Sequence, residues 1–92
     1  SGYAEAIPLT KEVQWHPNLI ENFAQLTQQN SLSKNDLQTI EALIAQDPRP
    51  AYRQQQLHTL FVMRYHHVDI QFQQISPNLL QIVAILSLNT DN

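Results

Sequence analysis

Cysteine is absent, so the chain has neither a disulfide framework nor a thiolate metal site, a composition compatible with the cytoplasm. Glycine occurs once, at Gly2, which leaves no room for a glycine-rich phosphate loop. No apolar run approaches the roughly 20 residues that a membrane span needs. The first residues, Ser1-Gly2-Tyr3-Ala4-Glu5, lack a basic stretch followed by an apolar one, so neither a membrane partner nor a secretory leader is expected. Basic charge is scarce as well: Lys11, Lys34, Arg49, Arg53 and Arg64 stand against eight acids, for a net charge of −3. A free-standing nucleic-acid binder normally carries a patch that neutralises several phosphates, so any nucleic-acid contact here must be local. No Ser/His/Asp constellation stands out, and the chain shows no complete catalytic apparatus.

What remains is an ordinary globular composition. The 92 residues are 42% hydrophobic, enough for one domain with a single modest core. Thirteen residues are glutamine, scattered over what read as solvated faces except at Gln54-Gln55-Gln56. Residues 1–10 carry Pro8 and no clear period, and read as a linker from a missing N-terminal domain, with the domain proper at 11–92.

Within 11–92, Glu12-Val13-Gln14-Trp15 alternates polar and apolar, which predicts a short half-buried strand with Val13 and Trp15 inward. His16-Pro17 predicts a helix start with proline at its first position. Leu19, Ile20, Phe23 and Leu26 then form one apolar stripe. A second helix is signalled by Ser33 as cap, Asp36 closing the box and Leu32 beside Leu37. Its stripe is Leu37, Ile40, Leu43 and Ile44, and Asp47-Pro48 ends it. Leu57 to Tyr65 is partly apolar on both faces and is expected to be a central strand. Val68, Ile70 and Phe72 alternate with Asp69, Gln71 and Gln73, the pattern of a strand with one wet face. Ser76-Pro77-Asn78 is a turn. Leu79 to Leu88 is again apolar on both faces and predicts a central or covered strand, and Asn89 to Asn92 reads as a polar tail. The fold class is α+β, in the order β-α-α-β-β-β, with a small mixed or antiparallel sheet covered by a helix pair.

The candidate site is Gln46-Asp47-Pro48-Arg49-Pro50-Ala51-Tyr52-Arg53, an acid, two bases and an aromatic stiffened by two prolines. Proline fixes its own φ and disfavours the α region in the residue before it, so Asp47 and Arg49 are both expected in extended backbone. Arg49 and Tyr52 follow a helix stop and are expected in a solvated connection. A stiff segment holds a guanidinium and a phenol at nearly fixed separation, which suits an anionic, planar ligand. The plainer reading is that the prolines only stop a helix and Asp47 only forms a turn. Elsewhere, His66 and His67 are neighbours at a hairpin turn, while His16 and His58 lie apart. Adjacent strand residues point to opposite faces, so no metal site is expected. Asp69, Gln71 and Gln73 with Arg64 read as a solvated sheet face.

At Asp47-Pro48-Arg49-Pro50-Ala51-Tyr52, preceded by an apolar helix ending Ile44-Ala45-Gln46, the chain resembles the C-terminal domain of the TsaA-like, or tRNA methyltransferase O, family. The similarity in element order runs from about Lys11 to Leu88 and is sharpest over the motif. It implies a cytoplasmic enzyme that uses S-adenosyl-L-methionine to methylate threonylcarbamoyl-adenosine beside the anticodon, with the cofactor in an N-terminal β-barrel outside this chain. By residue-level carry-over it implies Asp47, Arg49 and Tyr52 as catalytic and Pro48, Pro50 and Arg53 as substrate-binding. The implied partners are tRNA through the intact protein and the barrel, while a second copy of the chain belongs to the alternative reading. The uncharged Gln54-Gln55-Gln56 just after the motif is a departure. The alternative function is a protein-interaction or dimerisation module with no catalytic role, anchored by Arg49 and Tyr52.

Overall fold

A computed structural model describes residues 9–88; the start of the expected linker and the tail from Asn89 lie outside the described residues. The order there is β1 (Glu12–Trp15), α1 (Pro17–Glu21), α2 (Phe23–Asn30), α3 (Lys34–Ala45), a 3-10 turn (Ala51–Arg53), β2 (Phe61–Tyr65), β3 (Val68–Ser76) and β4 (Leu79–Ser87). The strands form one sheet in the order β1-β4-β3-β2, with β1 parallel to β4 and the other pairs antiparallel. The sheet is thus the mixed one. Its inner face carries Val68, Ile70, Phe72, Leu80, Ile82 and Ile85, and these share one core with Trp15, Leu19, Leu32, Ile40 and Ile44.

Local sequence chemistry accounts for most of these elements. His16 caps α1 by accepting from the Asn18 N–H at 3.1 Å, with Pro17 at the first helical position. In α3 both halves of the capping box form: Asp36 N–H donates to Ser33 Oγ at 3.0 Å, and Ser33 N–H donates to Asp36 Oδ2 at 2.8 Å. Tyr65 adds its hydroxyl to Asp36 Oδ1 at 2.8 Å, tying the start of α3 to β2. In β3 the alternation of buried Val68, Ile70 and Phe72 with half-buried Asp69, Gln71 and Gln73 follows the period of 2. On the outer face Gln73, Gln81 and Gln14 join in a row across three strands.

Four expectations are corrected. The first helix is two, because Asn22 leaves helical geometry (φ −118°, ψ 19°) and its amide donates to the Asn18 carbonyl at 2.8 Å, competing with the backbone ladder. The break turns Ile20 out to solvent while Phe23 and Leu26 still reach the core. Leu43 is also exposed rather than part of the buried stripe of α3. The segment from Leu57 becomes a strand only at Phe61, and β2 is an edge strand rather than a central one. Leu57, Leu60 and Val62 stay exposed while Phe61, Met63 and Tyr65 pack inward, so apolarity on both faces marked one covered face and one open one. In β4, which is central as expected, Gln71 pairs with Ala84 but Phe72 with Ile82. That bulge at Val83 reverses the alternation, burying Ile85 and exposing Leu86.

His66 and His67 do occupy the turn between β2 and β3. His66 takes the left-handed conformation (φ 52°) that a two-residue hairpin turn needs. The two rings part there, His66 lying edge-on to Tyr65 at 4.4 Å and His67 bonding through Nε2 to the Asn30 carbonyl.

Candidate functional site

The proline segment begins where α3 stops. Gln46 is its C-cap, and the next residue, Asp47, has φ 54° and donates its N–H to the Ile44 carbonyl at 2.8 Å. Asp47 is therefore left-handed, which corrects the expected extended backbone. A helix C-terminus favours such a residue, and aspartate tolerates it because its side chain bonds its own chain. Asp47 Oδ1 accepts the Arg49 N–H at 3.3 Å, an Asx turn that carries the chain past Pro48.

Arg49 then folds back on the acid. Its Nε donates to Asp47 Oδ1 at 2.7 Å and its Nη2 to Oδ2 at 2.8 Å. Nη1 donates to the Gln56 carbonyl at 3.0 Å, and Nη2 also meets the Gln54 carbonyl at 3.1 Å and Gln74 Oε1. Arg49 is only 4% exposed and Asp47 7%, so the solvated connection expected for Arg49 is not what forms. The physical reason is that three segments supply acceptors for its planar fork, and a desolvated guanidinium is tolerated when its donors are bonded.

Two residues not singled out from the sequence complete the cluster. Lys11 donates through Nζ to Asp47 Oδ2 at 2.6 Å, to the Gln54 carbonyl at 2.8 Å and to Gln74 Oε1 at 3.1 Å. Gln74 is wholly buried, and its amide donates to the Pro77 carbonyl at 3.0 Å. A signal for Gln74 existed, because it continues the inward phase of Val68, Ile70 and Phe72. Lys11 gave none beyond its charge. The glutamines that looked like a departure are structural too: the Gln54 amide donates to the carbonyls of Asp47 at 3.1 Å and Arg49 at 3.0 Å, closing the loop on itself. Burial pushes the Asp47 carboxyl up, but the bonds from Arg49 and Lys11 outweigh it and hold the pKa below its ordinary value. Asp47 is therefore ionised at neutral pH, one anion between two cations.

Above this cluster the segment is open. Tyr52 sits on the 3-10 turn with 77% of its surface exposed, and Pro48 and Pro50 are exposed beside it. The Arg53 guanidinium lies 5.3 Å from the Tyr52 ring centre and 5.8 Å from that of Phe61, while the Arg49 guanidinium lies 5.4 Å from the Phe61 ring. Guanidinium groups and rings so alternate from the core to the surface. The arrangement separates the six candidate residues by task. Asp47 and Arg49 are buried with their polar atoms bonded, whereas Tyr52, Pro48 and Pro50 are exposed and half-buried Arg53 lies beside them, bonded to Gln56 Oε1 at 3.3 Å. The chemistry of the exposed part is contact and orientation.

A small α+β domain whose surface loop is tied down by a buried ion pair is the class that this fold and loop define. The model of the TrmO C-terminal domain matches residues 8–88, and the chain belongs to that family. Among solved structures, TrmO from Pseudomonas aeruginosa superposes with a TM-score of 0.68 at 23% identity, covering 91% of this chain and 36% of that one. A second Pseudomonas aeruginosa TrmO structure gives 0.67 at 21% identity over 94% and 37%. A further TrmO structure gives 0.66 at 23% over 94% and 37%. These likenesses establish the fold, and the chain spans little more than a third of each of those proteins. No curated protein matches the chain.

Proposed function

We propose that this chain is the C-terminal accessory domain of an S-adenosylmethionine-dependent tRNA methyltransferase that acts on threonylcarbamoyl-adenosine next to the anticodon. Family membership supports the reading, and the observation that carries it is Tyr52, 77% exposed on a loop locked from beneath by buried Asp47 and Arg49. In this reading Tyr52 stacks on a base of the unpaired anticodon loop, and Arg53 meets a phosphate or the threonyl carboxylate. Pro48 and Pro50 keep the surface stiff, and Asp47 and Arg49 hold it in place. The family resemblance puts the cofactor, which supplies the methyl group, in an N-terminal β-barrel elsewhere in the intact protein. Methyl transfer to a weakly nucleophilic nitrogen gains most from alignment, for which positioning is worth several kcal/mol of barrier. Such an enzyme works in the cytoplasm on tRNA.

The test is methyl transfer by the intact protein to threonine tRNA lacking the modification. The reading expects transfer by the wild type and a loss of about tenfold or more in Tyr52→Ala. Absence of transfer, together with capture of a protein partner that Tyr52→Ala abolishes, would replace it with the interaction-module reading.

A further inference from the structure

Residues 9–12 and the loop from Gln46 to Gln55 face each other across a cleft of about 650 Å³. Leu9, at its edge, is 96% exposed. Lys11 is the side chain that joins the two walls. Its backbone N–H donates to the Ala45 carbonyl at 2.8 Å, at the end of α3. Its ammonium has three donors, and they go to three different places: the Asp47 carboxylate, the Gln54 carbonyl and the buried Gln74 side chain. Two of these acceptors bracket the segment that carries Tyr52 and Arg53, and the third is fixed in the sheet. A cation so held ties residues 9–11 to the loop, and its bond to the carboxylate is of the strong, short kind.

We propose that Lys11 is a positioning residue, setting the Tyr52–Arg53 loop relative to the part of the protein joined ahead of Leu9. The inference rests on the accessory-domain reading above for its consequence in catalysis, and on geometry alone for the link between Lys11 and the loop. Arg49 still neutralises Asp47 when Lys11 is removed, so the loop loses one of its two anchors and the core keeps its packing.

The experiment compares wild type, Lys11→Met and Lys11→Arg in the intact protein, by amide hydrogen exchange and by kcat and KM for tRNA methylation. In Lys11→Met, the amides of Arg53, Gln54 and Gln56 are expected to exchange roughly tenfold faster, the loss of a charge-assisted bond, while those of Ile40 and Ile82 do not change. The kcat is expected to fall about tenfold with KM within about threefold, since a displaced loop costs alignment more than contact. Lys11→Arg is expected to recover most of both. If Lys11→Met does not fold, Lys11→Gln, which keeps a donor, takes its place with a smaller shift in the same sense. Unchanged exchange at Arg53, Gln54 and Gln56 would overturn the proposal, as would equal loosening at Ile82 or a rise in KM with kcat intact. A faster loop in a protein whose wild type transfers no methyl group would uphold the Lys11 link and overturn only the functional reading.

Discussion

Arg49 meets Asp47, two residues back, in a two-bonded fork: Nε to Oδ1 at 2.7 Å and Nη2 to Oδ2 at 2.8 Å, with the arginine side chain wholly removed from solvent. The pair is the floor on which the exposed end of the loop rests. Arg49→Ala leaves Asp47 and the Gln54 carbonyl with Lys11 alone and strands the Gln56 carbonyl. Breaking a buried ion pair from one side costs about 3–5 kcal/mol, so the melting temperature is expected to drop by more than about 10 °C. Arg49→Lys recovers only part, because an ammonium cannot reproduce the fork. Thermal unfolding followed by circular dichroism reads both variants.

Acid unfolding follows from the same carboxylate. Asp47 has its pKa lowered in the fold from an ordinary value of 3.8. The unfolded chain therefore takes up the proton first as pH falls. The stability the group contributes is fully present above the ordinary value and is lost as pH drops through the folded one. Melting temperature is expected to be flat from pH 7 to about 5 and to decline below about 4. Asp36 has its pKa lowered by the bond from the Ser33 N–H and then by that from Tyr65, and acts in the same direction. Asp47→Asn, measured over the same range, should show a lower plateau and a shallower acid decline.

The start of α3 offers a separate stability test. Ser33→Ala removes the oxygen that accepts the Asp36 N–H, and loss of such a cap costs about 1 kcal/mol. A fall of roughly 4–8 °C in melting temperature is expected for a domain of this size, with the Tyr52 loop undisturbed.

Under the proposed function, charge pairing sets the salt dependence of RNA binding. Of the five basic residues, Lys11 and Arg49 bond to Asp47, and Arg64 bonds to Asp69 at 2.8 Å. Among the described residues that leaves Lys34 and Arg53 without an ion pair to an acid, for phosphates. The slope of log affinity against log salt for this domain on anticodon stem-loop RNA is therefore expected to be shallow, about 1 to 2 in magnitude. A titration from low to physiological salt checks it.

The sequence was most legible where signals are local. The Ser33–Asp36 box, proline at the start of α1 and the alternation of β3 depend on neighbours a few residues apart, and each formed as read. The errors arose where distant residues decide. Arg49 reads as solvated because it follows a helix stop, yet its burial depends on Gln74 in β3 and on the company of Lys11, residues far away in the chain. The proline rule alone puts Asp47 in extended backbone, whereas the helix end beside it favours a left-handed residue. Leu79 to Leu88 showed apolar side chains on both faces, and only its register against β3 reveals the bulge that divides them. Tyr52 and Arg53 lie within the motif picked out from sequence, but their separation from Asp47 and Arg49 into surface and support required the fold.

Tyr52→Ala in the intact protein, assayed for both melting temperature and methyl transfer to tRNA, tests the division of labour most directly. An exposed side chain away from the core changes stability by no more than about 0.5 kcal/mol. Loss of a base-stacking ring costs about 1.4–3 kcal/mol, or roughly ten- to 150-fold in transfer. The account predicts unchanged melting with transfer reduced by about tenfold or more, next to an Arg49→Ala protein that is destabilised. Wild-type transfer in Tyr52→Ala, at unchanged melting temperature, would contradict it.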